Sequence, residues 1–598
     1  MSGLRDVLSR FVRSLAEQEQ DNNSPDVRHD LGTVICWLLE RSAYTVIERA
    51  FKFEGTAQRR SSGFPQRGVD ILAIKPDSDG AIRLYRFVLK EGKFGVTEAG
   101  QTGERGNLIH DIQLAASARD LRAETAAALG DVKIDKVSVI AVHNGDLDRR
   151  EVITVVENLK DNIRRNYAVD LEWWDAEVII NKLMEFVDKE GRIASPGDVT
   201  FLPPSSRPFV RAVLASVGKT SRLDIGALER YVDTMLPRLD EGRPYTKGLE
   251  TRLERAGNEA MLFVHMLIAE CKVENSDSVL PILEYIERVA SRIMYLLAVY
   301  SGEDGGDMRK AISSLRGLLT LYVESADKLR LRLEGLRGKA RGLAMAWGSE
   351  RLDYPYRLYR LLGYLCVAHA ISSEIKALAG YREPLLSAIL DIWDNNAEAV
   401  LFPIMDDQVI EIMLVWECWA SAGLQEKVEQ TALHMIKAFL LRINSDAPLP
   451  LLHQRATWPM KDRDIDALVD IHLGGAAAVS ALQGTSLILP VIVYAAHKQP
   501  EVLAGVPVLR KGISWQFWAV ANENNTESYT REIGDIGVTW FVDKFDTLDE
   551  FVRIFKNLAA PEPKSPAAKY RLTCVDRIAW KLYRNVPPLG ILINKLPS

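Results

Sequence analysis

The carboxylates of Asp70 and Glu91 and the amine of Lys93 have a spacing that is typical of a metal-dependent site. Asp70 lies in the β-branched run GVDILAI, and Glu91 and Lys93 lie two residues apart at the end of the run AIRLYRFVLKEGK. Residues two apart on a strand face the same side, so Glu91 and Lys93 are expected to project together. Two carboxylates close together repel each other electrostatically, unless a cation lies between them. Magnesium (or manganese) is the expected ion, because magnesium binds through one or two carboxylates together with phosphate and water.

The predicted element that positions these residues is an antiparallel hairpin. The sequence PDSDG, residues 76–80, has turn chemistry and separates the two predicted strands. Pairing of the strands would carry Asp70 to the side of Glu91 and Lys93. The two acids would then hold the ion, which would polarise a phosphodiester and activate a bound water. Lys93 would place that water and screen the charge that develops on phosphorus.

In this order of elements, residues 20–190 resemble the Mrr-like restriction endonuclease branch of the PD-(D/E)xK nuclease superfamily. The matching elements are the helix DLGTVICWLLERSAY, the strand TVIERAFKF, GVD with Asp70, KEGK with Glu91 and Lys93, and the helix IHDIQLAASARDL with Gln113. The strand KVSVIAVHNG and the strand and helix in VDLEWWDAEVIINKLMEF follow. The resemblance implies a restriction-endonuclease-like α/β domain that cuts DNA with magnesium, using these four residues as catalytic residues.

The first helix departs from the family pattern. The family often carries an acidic residue early in this helix, where the present chain has Gly32. Asp30 and Glu40 are nearby carboxylates, and neither takes the expected position. Whether a carboxylate of the first helix joins the site is therefore left open.

Other interpretations of the same residues are possible. Carboxylate–lysine pairs on exposed strand faces are usually solvated salt bridges worth under about 1 kcal/mol. A nuclease fold that has lost catalysis and only binds nucleic acid is a second alternative, against which the intact Asp70, Glu91 and Lys93 argue. Gln113 fits equally well as a residue that orients a water or phosphate and as an ordinary surface residue.

Basic residues occur in two segments that could contact nucleic acid. Arg59, Arg60 and Arg67 lie in the predicted loop before Asp70, where they could grip phosphates, although such a loop is also typical of protein surfaces. The second segment is KLRLRLEGLRGKARG, residues 328–342, with tyrosines soon after it. A solvated helix face with leucines packed beneath it is the favoured interpretation of this second segment.

The composition is that of a soluble globular protein. The chain has 598 residues, of which 47% are hydrophobic and 26% are charged. The formal net charge of −6 argues against nonspecific coating of nucleic acid, so nucleic-acid contacts must come from local basic patches. The five cysteines are far apart in sequence, which favours reduced, buried thiols in a cytosolic protein. The chain contains no GxxxxGK[ST] motif, so an NTPase would have to be a separate partner.

Two segments rich in turn-forming residues, 195–208 and 443–459, divide the chain into three predicted domains. Residues 1–200 form the nuclease-like α/β domain. Residues 209–444 have a helical pattern typical of a bundle or solenoid, and residues 460–598 are mixed α/β. In the last domain SWQFWAVANEN and GVTWFVDKF are typical of strands. The predicted fold class is a multidomain α/β plus α protein.

We expect no membrane partner. Residues 473–496 are uncharged and long enough to span a bilayer, but their Gly, Ala, Ser and Thr content and internal Pro490 favour a buried helix followed by a second apolar element. The N-terminus lacks the apolar core of a signal peptide. A cytoplasmic protein is therefore expected.

The sequence predicts a magnesium-dependent endodeoxyribonuclease that is the effector of a bacterial antiviral or restriction-type defence system. DNA is the expected substrate, and a separate ATPase, helicase or sensor protein, or self-assembly into a homo-oligomer, is the expected association. The alternative is a catalytically inactive nuclease fold that binds nucleic acid and serves as a scaffold for a separate ATPase or helicase.

Overall fold

The computed structural model describes parts of all three predicted domains. The described residues are 2–15, 30–49, 69–90, 108–118, 132–145, 150–186, 230–232, 236, 249–270, 276–300, 308–334, 353–401, 408–444, 515–520, 537–542 and 572–582. The chain divides into two compact units. Unit 1 comprises Met1–Asp240 and Thr251–Lys272, and unit 2 comprises Glu241–Glu250 and Val273–Ser598.

A five-stranded mixed sheet forms the scaffold of unit 1. Its strands, β1 to β5 in chain order, are Thr45–Arg49, Ile71–Pro76, Ile82–Lys90, Lys136–His143 and Asp170–Trp174. The strands lie side by side in that order. The β1–β2 and β2–β3 pairs are antiparallel, whereas the β3–β4 and β4–β5 pairs are parallel. Parallel neighbours need a crossover connection, and helices follow both β3 and β4 along the chain.

Helices cover the sheet of unit 1. The main described ones, α1 to α6 in chain order, are Ser2–Ser14, Asp30–Arg41, Leu108–Ser117, Arg150–Tyr167, Ala176–Met184 and Leu249–Glu270, the last counted with unit 1 from Thr251 onward. Helices α3 and α4 pack on one face of the sheet. There Leu84 and Val88 of β3 share a hydrophobic cluster with Ile112 of α3 and Val156 of α4. These apolar positions recur at strand and helix periods, as the sequence pattern requires.

The other face of the sheet is aromatic. Tyr85 and Phe87 alternate along β3 with the residues that face α3, and both contact the ring of Tyr44. Tyr44 lies 4.9 Å from Tyr85 between ring centroids, and Trp174 lies 5.5 Å from Phe87, both edge to face. Strand β3 is therefore buried on both faces over its central residues, which explains why its sequence is apolar without strict alternation.

The turn between β2 and β3 has the chemistry that the sequence predicts. The N–H of Gly80 donates to the carbonyl of Asp77 (2.9 Å), and Gly80 has a φ of +82°, which favours glycine. The carboxylate of Asp79 accepts from the N–H of Ala81 at 3.0 Å. Arg83 pairs with Asp77 at 2.9 Å and fastens the first residues of β3 to the turn. The predicted hairpin is confirmed.

Asn144, just after β4, joins the sheet of unit 1 to helix α1. Its side chain is buried, and its Nδ2 donates to the carbonyl of Val12 (3.1 Å) and to that of Leu15. The last carbonyls of a helix lack partners within the helix, and Asn144 supplies one. Helix α1 also pairs with α5, where Arg5 lies 2.7 Å from Glu177.

Unit 2 is mainly helical in its described residues. Its helices, α7 to α14 in chain order, are Ser276–Tyr300, Arg309–Glu334, Asp353–Glu374, Arg382–Asn395, Ala397–Val400, Val409–Ser421, Gln425–Asn444 and Thr573–Leu582. A 3-10 helix, Lys376–Tyr381, lies between α9 and α10. The two predicted strands form an antiparallel pair, β6 (Trp515–Val520) and β7 (Gly537–Val542).

Helix α14, which begins 199 residues after Glu374, packs on α7, α9 and α12. The carboxylate of Glu374 accepts from the N–H groups of Thr573 (3.1 Å) and Cys574 (2.8 Å), which lack partners within the helix. One turn further on, Arg577 pairs with Glu417 of α12. Helix α14 is thus attached to the helical unit at its first turns by charged side chains.

The last turn of α14 holds a buried ion pair. Lys581 Nζ lies 2.7 Å from a carboxylate oxygen of Glu287 in α7, and neither residue is more than 6% exposed. The hydroxyl of Tyr322 donates to the other oxygen at 2.7 Å, and the ammonium lies 3.4 Å from the ring centroid of Tyr364. Both charges are paired, as buried charges generally must be.

The described chain is thus mostly helical, with a mixed sheet in the N-terminal unit, as expected of an α/β plus α protein. None of the described helices is both long and apolar enough to cross a membrane. Residues 473–496, the segment considered for a membrane span, lie outside the described residues.

Candidate functional site

Asp70 is held beside the end of β3 by two hydrogen bonds. Its backbone N–H donates to the carbonyl of Phe87 (2.8 Å), and its carboxylate Oδ2 accepts from the backbone N–H of Leu89 (2.7 Å). The residue is half-buried. A bond this short is typical of an ionised acceptor, and it fixes the direction of the carboxylate. The hairpin therefore brings Asp70 to the end of the strand that leads to Glu91, as the sequence predicts.

The expected partners of Asp70 lie outside the described residues. Strand β3 ends at Lys90, and Glu91 and Lys93 follow it in the next segment of the chain. Their grouping with Asp70 stays a prediction.

Strand β3 is tied to α3, the helix that carries Gln113. Arg86 is buried, and one of its guanidinium nitrogens donates to the carbonyl of Ala115 at 2.7 Å. Leu84 and Val88, on the same side of β3, pack into the cluster that contains Ile112. The position of α3 over β3 is therefore set by one buried polar contact and by apolar packing.

Two polar side chains of α3 project from opposite sides of the helix. Asp111 and Gln113 are two residues apart, which is about 200° around the helix axis. Burial raises the pKa of Asp111, and Lys90 at the end of β3 and the neighbouring His110 oppose that rise by electrostatic attraction. Gln113 is partly exposed. The polar residue of α3 that is electrostatically linked to the end of β3 is therefore Asp111.

Sequence reasoning did not single out Asp111, because the resemblance drew attention to the glutamine in HDIQ. A signal was available in the spacing. Asp111 lies four residues before Ala115 and three after Leu108, both of which are buried, so it borders the apolar face of α3. A carboxylate at such a border is partly desolvated.

His143 adds a third polar group to this end of the sheet. In the parallel pairing of β3 with β4, Lys90 lies opposite His143. The histidine is buried, with its ring 5.7 Å from that of Trp173. Two carboxylates and two basic side chains therefore lie near the C-terminal ends of β3 and β4, namely Asp70, Asp111, Lys90 and His143.

The described residues supply one of the oxygen ligands that a magnesium ion would need. Asp70 is an oxygen donor fixed in orientation, and magnesium needs only one or two such carboxylates, with water and phosphate completing its shell. Within the described ranges, however, no group of three or more His, Cys, Asp or Glu side chains is arranged to hold a metal ion. A magnesium site at this position therefore depends on Glu91.

The structure says less about the remaining residues that the sequence analysis considered for the site. Glu40 is exposed near the end of α2, and Asp30 is the first residue of that helix. Arg59, Arg60 and Arg67 lie outside the described residues. Whether a carboxylate of α2 takes part in the site stays open.

The basic segment of unit 2 behaves largely as a packed helix where it is described. In α8, Arg330 pairs with Asp327 at 2.6 Å, and Leu329 and Leu333 are buried beneath the charged face. Tyr359, the last of the tyrosines that follow, is also buried and cannot stack on a base in this conformation. These contacts support the interpretation of a solvated helix face.

No family model, curated protein or solved structure matches the chain.

Proposed function

We propose that unit 1 is a magnesium-dependent nuclease that hydrolyses phosphodiester bonds in DNA, with Asp70 and Glu91 as metal ligands and Lys93 as a further catalytic residue. One observation carries the proposal, namely the hydrogen bond of 2.7 Å between Asp70 Oδ2 and the N–H of Leu89. Two residues of chain span at most about 7 Å, so Glu91 cannot lie far from the amide that holds Asp70. Glu91 would thereby bring a second carboxylate within reach of the ion that Asp70 binds.

Each residue has a distinct role in this proposal. Bound magnesium would polarise the scissile phosphate and lower the pKa of a coordinated water. Leu89 would hold the Asp70 carboxylate in place through one oxygen and so fix its direction toward the ion. Lys93 would donate hydrogen bonds to the charge that develops on phosphorus. Gln113 would orient a water or phosphate oxygen from α3.

DNA is proposed as the substrate on chemical and comparative grounds. The chain has a net charge of −6, so phosphate binding must be local, and Arg59, Arg60 and Arg67 precede Asp70 directly in the sequence. The family that the sequence resembles mostly acts on DNA. We also propose, from the combination of domains alone, a cytoplasmic defence effector whose helical unit 2 senses a trigger or docks a separate ATPase or helicase.

A second candidate is a nuclease fold that binds nucleic acid without cutting it. In that case unit 1 would be an anchor, and catalysis would reside in a partner.

The two functions are separated by plasmid cleavage with purified full-length protein in magnesium or manganese, with and without a chelator. Wild type, Glu91→Ala and Lys93→Ala are compared, and DNA binding is measured in parallel. Metal-dependent nicking that both variants lose, with binding retained, is the expected result. Binding without nicking by the wild type would contradict the nuclease and favour the anchor.

A further inference from the structure

Two cysteines that are distant in sequence meet in the helical unit. Cys366 lies in α9 and Cys418 in α12, 52 residues further along the chain. Cys418 Sγ lies 3.9 Å from the backbone carbonyl oxygen of Cys366, within hydrogen-bonding range for sulfur. The two side chains are also close enough to interact electrostatically. Because α9 and α12 pack along each other, the contact is built into the arrangement of helices.

Both cysteines are buried, and an imidazole lies beside them. Cys366 is 1% exposed, Cys418 5% and His369 2%. His369 lies one helical turn after Cys366 and interacts electrostatically with Cys418. The nearby carboxylate of Glu417 is engaged by Arg577 of α14. The cluster therefore consists of two thiols and one base with restricted access to solvent.

The two thiols differ in reactivity. The neighbouring thiol of Cys366 and the adjacent His369 lower the pKa of Cys418, against the effect of burial. Burial raises the pKa of Cys366 well above its usual value. The thiolate is the nucleophilic form of cysteine, so Cys418 would react first at neutral pH. It is also the more exposed of the two.

We propose that Cys366 and Cys418 form an oxidant-sensitive dithiol, which a peroxide converts to a disulfide that links α9 to α12. The sulfur of Cys418 attacks one peroxide oxygen, the O–O bond breaks, and the departing oxygen leaves as water after protonation. The sulfur of Cys366 then attacks the resulting sulfenic acid, the S–O bond breaks, and a second water leaves. In sum, two thiols and one hydrogen peroxide give one disulfide and two waters.

This modification is independent of the proposed nuclease. It would close a long loop between two helices of unit 2 and restrict the unfolded chain, so the unit would resist unfolding more strongly after oxidation. The stability of unit 2, for which a sensing role is proposed, would thereby respond to oxidants. The bond would be reversible by thiol reductants, because a disulfide is the reversible product on this route.

The test uses full-length protein, either kept reduced or exposed to hydrogen peroxide. Each sample is then denatured, alkylated with N-ethylmaleimide, digested and analysed by mass spectrometry. A peptide linked through Cys366 and Cys418 is expected after peroxide and not in the reduced sample. The midpoint of thermal unfolding is expected to rise by several degrees in the oxidised sample. Dithiothreitol should reverse both changes.

Matched variants assign the bond. Cys366→Ser and Cys418→Ser should each abolish the linked peptide, whereas Cys36→Ser, at a buried cysteine of unit 1, should leave it unchanged. The proposal is overturned if both thiols of peroxide-treated wild type still react with N-ethylmaleimide. It is also overturned if Cys418 passes to the sulfinic acid while Cys366 stays a thiol, or if either pairs with a different cysteine.

Discussion

Carboxylates have different partners in the interior of unit 2 and at the C-terminal ends of β3 and β4 in unit 1. In unit 2, Glu287 is fully buried and meets the ammonium of Lys581 at 2.7 Å and the hydroxyl of Tyr322 at the same distance. In unit 1, Asp70 is half-buried and is held by a backbone amide. The first carboxylate is paired with a buried ammonium, and the second is oriented by a backbone amide.

The difference indicates where function is to be sought. A buried carboxylate surrounded by donors has its bonding capacity filled, and its effect is on the stability and register of the helices that it joins. A carboxylate whose direction is fixed by a backbone amide at the end of a strand is preorganised for a ligand. Among the described residues the second condition is met by Asp70, which is also the residue that the sequence pattern selects.

The largest effect is expected from breaking the interior pair of unit 2. Glu287→Ala would leave the ammonium of Lys581 buried without its counter-ion, which should lower the free energy of unfolding by about 3–5 kcal/mol. Urea unfolding followed by circular dichroism measures this. The double variant Glu287→Leu, Lys581→Met should recover most of the loss, because no charge then remains buried.

A matched control for the interior pair is Glu157→Ala. This glutamate pairs with Lys160 at 2.8 Å on the surface of α4, where its side chain is 62% exposed. Its loss should cost at most about 0.5 kcal/mol. Equal effects of Glu287→Ala and Glu157→Ala would remove the distinction between the two regions.

The next effect concerns which polar residue of α3 serves the proposed site. Asp111→Asn should lower the rate of DNA cleavage about 10–100-fold, the usual effect of losing a group that supports a metal site. Gln113→Ala should have a smaller effect, because Gln113 is not the residue linked to Lys90. Single-turnover cleavage by the two variants gives the comparison. A larger loss with Gln113→Ala would restore the role that the resemblance implies for it.

A smaller effect is expected from the contact between β3 and α3. Arg86→Met keeps the apolar stem but removes the donor to the carbonyl of Ala115, and unit 1 should lose about 1–2 kcal/mol of stability. Thermal unfolding of full-length protein measures the loss. Arg83→Met, in the same strand but at the turn, is the matched control and should cost less. A stable Arg86→Met protein would show that apolar packing alone positions α3.

The smallest effect is a dependence of stability on pH at the hairpin turn. A hydrogen bond from Arg83 and the nearby Lys136 hold the pKa of Asp77 below its usual 3.8. Because the folded state lowers this pKa, the contribution of Asp77 is present above pH 3.8 and is lost as the pH falls through the lowered value. Unfolding of wild type and Asp77→Asn should differ at pH 6 and converge in acid. A difference that is constant with pH would exclude this linkage.

The hairpin and the order of elements in unit 1 could be predicted because their signals are local. The β-branched run after Gly68, the PDSDG turn and the apolar run after it specify two paired strands, and only the end positions differ, since β2 begins at Ile71. Helix α7 was likewise evident from apolar residues at helical spacing after the capping residues near Ser276.

Contacts between distant segments could not be predicted in this way. Lys581 and Glu287 are 294 residues apart, and Cys366 and Cys418 are 52 apart. Each residue lies in a helix whose pattern shows which side is buried but not which helix covers it. The cysteines were expected to be reduced and buried. The structure confirms that the four described cysteines are free and buried, but it brings two of them together.

The most direct test of the central claim compares two identical substitutions at opposite ends of one hairpin. Asp70→Asn keeps an oxygen for the N–H of Leu89 but removes the negative charge, and Asp79→Asn makes the same change in the turn. Cleavage of plasmid DNA in magnesium should fall at least about 100-fold for Asp70→Asn and stay near wild type for Asp79→Asn. Equal cleavage by Asp70→Asn and wild type would contradict the proposed site.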